Sequence, residues 1–523
     1  MSVSALVFAA FVLLVTYIYY WSTRKFEYWK RKNVPYAKPV PFFGNYMRYI
    51  TLQSYIGDVM QKLCQQFPDR PYFGSFYGTE PALVLQNPEI IKQVFTKDFY
   101  YFNSRDNSDY NHKEVVTQNL FFANGDKWKV VRQNLTPLFS SSKMKNMFYL
   151  VEKCNHSLED MLDRETKDLQ IIEIRAAMIR YTLDSICSSA FGIETNTLSE
   201  GGEYSPFANM ASIIFSPSIA RGLKWISRSM WPGIFYKLGL QCFPAEIDDF
   251  FERLLTEVFE NRGCKPTNRN DFVDLILSLK QNDYLTGDGL VPKNVDAKKV
   301  TVKVDDALLI AQCVVFFGAG FETSATTLSA ALYELAKNPE AQRRAQEEVD
   351  ELLLKHNNKL NYDCLAELPY LEACMNEAMR LYPVFPNITR ETVADYTFPD
   401  GLRIDKGMRV HVPVYAIHRN PDNFPDPEEF RPERYLGDAK NDIKQFTFFP
   451  FGEGPRICIG MRFGKMQTIA GLITCLKKFN FELADGMPRT LAFRSTTLLT
   501  QLSTGLFLKA TPRDGWEQRI FAR

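Results

Sequence analysis

Between Asp306 and Glu334 the chain carries one charge, Glu322, in a run that reads Ala307-Leu-Leu-Ile-Ala-Gln-Cys-Val-Val-Phe316-Phe-Gly318-Ala-Gly320-Phe-Glu322-Thr323. A helix over this run is apolar on every face, and such a helix is buried on all sides. Lipid is the other possible enclosure. Gln312, Glu322 and the hydroxyl cluster Thr323, Ser324, Thr326, Thr327 and Ser329 make it unfavourable, because polar groups are expensive in a bilayer. A buried ionisable group is costly unless it has partners, so Glu322 is a candidate functional residue. Thr323 beside it can hydrogen-bond the carbonyl four residues back and open the helical ladder. Gly318 and Gly320 thin the helix wall on the side from which a ligand could approach the backbone.

The remainder of the 523 residues has to enclose that helix, and 41 phenylalanines and 25 tyrosines suit a large apolar interior. No Pro/Gly/Ser-rich linker, repeat or low-complexity block interrupts residues 46–523, which read as one domain. A net charge of +1 lacks the basic excess of a nucleic-acid-binding protein. The ten cysteines are scattered without a Cys-x-x-Cys pair, which gives a zinc ribbon or thioredoxin-type site no support. Their low density reads as reduced, cytosol-facing thiols. Val3 to Trp21 has no charged residue and is long enough to cross a bilayer, and Arg24, Lys25, Lys30, Arg31 and Lys32 follow it. The positive-inside rule then makes residues 1–23 a single-pass anchor with the body in the cytoplasm. Residues 24–45 form a basic hinge stiffened by Pro35, Pro39 and Pro41. On that topology the sequons at Asn134, Asn155 and Asn387 carry no glycan.

A second constraint lies near the C-terminus. Phe451-Gly-Glu-Gly-Pro-Arg456-Ile-Cys458-Ile-Gly460 sets one cysteine in a glycine-rich loop. Glycines allow close backbone approach to a flat ligand, and amides aimed at the sulfur tune a metal-bound thiolate. On haem iron a thiolate favours O–O cleavage. Three further patterns precede it in order: Trp128-Lys-Val-Val-Arg132, Glu377-Ala-Met-Arg380, and Arg431-Pro-Glu-Arg434-Tyr435. The first and second each place two side chains on one helical face.

Phe-x-x-Gly-x-Arg-x-Cys-x-Gly matches the haem-binding signature of the cytochrome P450 superfamily, and Ala319-Gly320-Phe-Glu322-Thr323 matches that family's oxygen-binding motif. The resemblance covers essentially the whole chain. It implies a mainly α fold with small β-sheets (α+β) and an N-terminal transmembrane helix. It also implies a haem b whose iron is ligated by Cys458, with Phe451 in the same loop. Trp128, Arg132, Arg390 and Arg456 match the positions that meet the haem propionates, and arginine suits carboxylates through planar, bidentate donors. Glu322 and Thr323 match the pair that supplies protons during dioxygen activation. Glu377, Arg380 and Arg434 match a buried ion triad that serves the fold.

The implied reaction inserts one atom of dioxygen into a lipophilic small molecule. No flavin domain or Gly-x-Gly-x-x-Gly is present, so the electrons come from NADPH through a separate NADPH–cytochrome P450 reductase, with cytochrome b5 as a further candidate donor. Lys127, Lys129, Lys143 and Lys145 are candidates for docking an acidic partner. Local texture resembles insect microsomal members that oxidise foreign compounds such as plant toxins and insecticides, which places the chain on the endoplasmic reticulum membrane. Hormone or lipid metabolism, and a reductase-independent haem-thiolate isomerase, are the alternatives; the intact Glu322–Thr323 pair speaks against the isomerase. Expected pocket walls are Phe121 and Phe122, Phe316, Phe317 and Ala319, Val384 and Phe385, and a hairpin at Leu499–Leu502. The aromatic stretch from Phe207 to Tyr236 is the expected roof.

Overall fold

The computed structural model describes residues 3–521 apart from 106–107, 168–169, 268, 270 and 293–294. Its axis is the helix Asp306–Lys337, capped by the Asp305 side chain, which accepts from the Leu308 amide at 2.8 Å. The helix stops before Pro339, which opens the next one. Its flanks are covered by the helices Ile174–Ile186, Pro369–Leu381 and Met461–Leu476, so the all-apolar pattern is satisfied by protein. Gln312, buried in this helix, takes the Leu120 amide on Oε1 at 2.9 Å and donates to the Leu308 carbonyl. Gly320 has a packing reason: a Cβ there would lie 2.4 Å from the Ile186 side chain, so glycine sets the close approach of two helices. The expected thinning of the helix is therefore used first by a neighbouring helix.

The sheets are small and lie to the side. Tyr72–Tyr77 and Glu80–Leu85 form an antiparallel hairpin; Arg409–Val412 joins it in parallel, and Ile388–Glu391 closes the edge antiparallel to that strand. A second sheet joins Phe479–Leu483, Phe507–Pro512 and Ile171–Glu173, and two further pairs have two strands each. The first sheet places Arg390 and leads, through Val384 and Phe385, into the interior.

Val3–Thr23 is a helix whose residues from Val3 to Tyr20 are all exposed. Among the described residues two helices are long and apolar enough to cross a membrane; the other, Asp306–Lys337, is mostly buried. The segment read as a hinge is docked on the first sheet. Trp29 is fully buried, donates to the Ser75 carbonyl at 2.9 Å and fills the space left by Gly74. The carbonyl of Pro35 accepts from the Gly74 amide at 2.7 Å. Phe42 packs between Trp21 and Trp231, at ring distances of 6.2 and 5.1 Å. Asn155 is buried and accepts from the Tyr181 hydroxyl, and Asn387 pairs with His411, so neither side chain is available to a glycan.

Candidate functional site

Cys458 lies in the loop that enters the helix Met461–Leu476, and its amide donates to the Phe451 carbonyl at 2.9 Å. Gly454 makes the loop possible. Its φ is +72°, and a Cβ there would lie 1.9 Å from the Phe95 carbonyl oxygen. Gly452 has φ +74° but open space around it. Gly452→Ala is therefore expected to lower stability by about 1–2 kcal/mol from the left-handed backbone alone. Gly454→Ala is expected to cost clearly more, as the loop must separate from the helical turn Gln93–Lys97 that carries Phe95. Thermal unfolding of the two variants measures the difference, and equal losses would refute the contact.

The thiol faces an internal cavity of about 540 Å³ with a mainly apolar lining. Burial pushes the Cys458 thiol up, while the Gly460 amide and the guanidinium groups of Arg132 and Arg105 pull it back down. Seven of the eight predicted site residues line this cavity: Cys458, Phe451, Trp128, Arg132, Arg390, Arg456 and Thr323. The helix Gly125–Leu135 carries Trp128 and Arg132 on one face. Arg456 is fixed by its own loop's surroundings, donating to the carbonyls of Asn103 at 2.7 Å and Ala123 at 2.5 Å with its guanidinium 4.5 Å from the Trp128 ring.

Glu322 is the exception. It is 2 % exposed and is not part of the cavity wall. Its Oε1 accepts from Arg175 of the helix Ile174–Ile186 and from Gln501 Nε2 at 2.8 Å. Burial raises its pKa, and both partners oppose that rise. Thr323 donates from Oγ1 to the Ala319 carbonyl at 2.8 Å, and both residues face the cavity.

Arg105 is a cavity residue that the motifs do not announce. Its guanidinium stacks on Phe121 at 3.7 Å. Burial and repulsion from Arg390 push Arg105 down to about 9, and burial pushes Arg390 down to about 10. Arg105 Nη1 and Arg390 Nε are buried without a hydrogen-bond partner, and among the described residues no carboxylate pairs with Arg105, Arg132, Arg390 or Arg456. Unsatisfied buried donors are expensive. A thiol at the cavity floor, flanked by clustered cations that lack a protein anion, fits a haem: the iron on sulfur and the propionates on arginine.

The upper walls follow the expectation in part. Phe121, Phe122, Phe316, Ala319, Val384 and Phe385 line the cavity, as do Leu499, Phe215 and Trp225. Phe317 does not; it is fully buried against Phe251 and Phe321. Met230, Trp231, Phe235 and Leu502 also lie outside the lining. Sequence offers no sign of how the roof is held. Glu114, 6 % exposed, accepts from the Tyr236 hydroxyl at 2.8 Å and from the amides of Cys242 and Phe243 at 2.9 and 3.1 Å. Arg228 donates to the same hydroxyl at 2.6 Å and to Asn111 Oδ1 at 3.0 Å. These bonds join residues 111–114 to the roof helices Ile219–Met230 and Pro232–Lys237.

The four lysines proposed for docking are partly committed within the chain. Lys129 donates to the Gly289 carbonyl at 2.8 Å, Lys145 pairs with Asp363, and Lys127 is lowered by burial.

With this geometry in place, the cytochrome P450 family profile matches residues 34–508. Cytochrome P450 6B2 of Helicoverpa armigera is 34% identical over 503 residues, covering 96% of this chain and 97% of that protein. Cytochrome P450 6B5 of Papilio glaucus is 36% identical over 481 residues, 91% of this chain and 98% of the relative. Cytochrome P450 6j1 of Blattella germanica is 34% identical over 484 residues, 92% of each chain.

Proposed function

The chain belongs to the cytochrome P450 family and is a haem-thiolate monooxygenase, and from that premise we propose that it oxidises lipophilic small molecules, chiefly foreign compounds such as plant toxins or insecticides. The observation that carries the reading is the lining of the cavity: it is mainly apolar, with aromatic residues from separate segments around the space that a haem on Cys458 would share with a substrate. Apolar linings of this kind hold lipophilic small molecules. The foreign-compound assignment rests on the resemblance to the insect microsomal branch. Electrons come from NADPH through the membrane-bound reductase, with cytochrome b5 as a further donor. The exposed apolar helix Val3–Thr23 supports anchoring in the endoplasmic reticulum membrane.

When bound, haem supplies the reductive activation of dioxygen and its transfer to carbon. The chain's own groups do the rest. Cys458 would provide the electron-rich sulfur, and Trp128, Arg132, Arg390 and Arg456, with Arg105 beside them, would hold the propionates. The aromatic walls exclude water and orient the substrate. Thr323 Oγ1, at the cavity face, and the Glu322 carboxylate behind it form the proton side, since positioned acids transfer protons efficiently when fixed close to the reacting group.

Reductase-coupled turnover across a panel of lipophilic candidates, selected by their perturbation of the haem spectrum, tests the substrate class; a response confined to polar compounds would overturn it. Glu322→Gln and Thr323→Ala are expected to lower product formation by about 10²-fold or more. NADPH consumption should continue in both, with the electrons appearing as hydrogen peroxide. Unchanged product per NADPH would remove the pair from the mechanism.

A further inference from the structure

Glu322 has two partners, and they face different surroundings. Arg175, from the helix Ile174–Ile186, is the charged one; it is 21 % exposed and outside the cavity lining. Gln501 is neutral, 6 % exposed, and part of that lining. Both donate to the same carboxylate oxygen. Gln501 sits on the C-terminal hairpin, and its position there is well fixed. Its carbonyl accepts from the Arg494 amide at 2.8 Å. Thr500 beside it donates from its amide to Val384 at 2.9 Å and from its hydroxyl to Pro383 at 2.6 Å. The residues just before, Thr496 to Leu499, are cavity wall.

We propose that Gln501 is a positioning residue for the Glu322 carboxylate, fixing it to the same hairpin that ligands in the cavity touch. The inference rests on the reading of Glu322 as the proton-side group. An amide donor favours the ionised carboxylate and adds a second fixed direction to that of the partly exposed Arg175. The hairpin thereby holds the carboxylate's anchor in the cavity wall itself, since Thr496 to Leu499, directly before it, are residues a ligand there would touch. No protein segment other than this hairpin joins the cavity wall directly to Glu322 through a side-chain hydrogen bond among the described residues.

Gln501→Met keeps the length of the side chain and removes the donor. Infrared titration of the resting protein reads the protonated Glu322 carboxyl, the band being identified by its loss in Glu322→Gln. The expected result is a titration midpoint moved upward in Gln501→Met and further upward in Gln501→Glu, with folding and haem content unchanged. Product per NADPH is expected to fall several-fold in Gln501→Met and hydrogen peroxide to rise. An unmoved midpoint with parental product yield, while Glu322→Gln still uncouples, would overturn the role of Gln501 and leave that of Glu322 standing. If Glu322→Gln itself leaves the yield unchanged, the underlying reading falls and Gln501 loses its catalytic meaning with it.

Discussion

Replacing Cys458 by serine is expected to abolish NADPH-dependent product formation, and the reduced carbon-monoxide complex is expected to lose the red-shifted Soret band of a thiolate ligand. The substitution changes one atom. The Cys458 amide that donates to the Phe451 carbonyl is retained, so the loop keeps its backbone support. The surrounding charges favour an anion at this point: Arg132 and Arg105 and the Gly460 amide all stabilise ionised sulfur against the opposing effect of burial. A serine hydroxyl does not ionise under the same influence, because its intrinsic acidity is far lower. The electron-rich ligand that favours O–O cleavage is therefore absent. Persistence of the red-shifted band in Cys458→Ser would mean that another residue ligates the metal.

The second large effect is on folding. Glu377→Gln is expected to destabilise the protein by about 3–5 kcal/mol, the range for breaking a buried ion network by removing one partner. Glu377 and Arg380 are both 0 % exposed, and two parallel hydrogen bonds of 2.8 Å join them. Arg434 adds a third contact at 3.2 Å, and the Arg431 amide donates to the same carboxylate at 3.0 Å. The remaining Arg380 donors go to the carbonyls of His418, Pro427 and Glu429. Neutralising the glutamate leaves two buried guanidinium groups without a counter-charge at the junction of the helix Pro369–Leu381 and the segment 426–434. Typical total stabilities are about 5–15 kcal/mol, so the loss is a large fraction of the whole. Denaturant unfolding and the yield of haem-bound protein both report it. Glu347→Gln, which breaks the exposed Arg343 pair, is the control and should leave the melting temperature in place. Equal stability of Glu377→Gln and the parent would show that the triad does not carry the fold.

Much of this site is legible in sequence because its parts are local. Cys458, Phe451 and the glycines occupy one decapeptide, Trp128 and Arg132 one helical turn, and Glu377 and Arg380 another. Local spacing cannot reveal contacts between distant segments. Arg105 follows an irregular stretch with no periodicity, yet the fold sets it against Arg390, 285 positions later in the chain. Gln501 and Arg175 reach Glu322 from segments on either side of the central helix in the sequence, and neither belongs to a pattern. Phe317 shows the complementary failure. In a helix apolar all round, periodicity does not say which side meets the cavity, and here that side carries Phe316, Ala319 and Thr323. Gly320 reads from sequence as an opening for ligand and does line the cavity, but sequence gives no sign that Ile186 fills the place of its missing Cβ.

The cavity walls and the sulfur loop differ in how freely they can change over generations. Phe121, Trp225, Val384 and Leu499 come from four separate segments, and each contributes a side chain whose replacement alters shape at one point. The loop around Cys458 is closed by the Phe95 backbone over a residue that has to be glycine. Descendants of such a chain can change what the cavity admits one wall at a time, while the oxidation they perform is inherited intact.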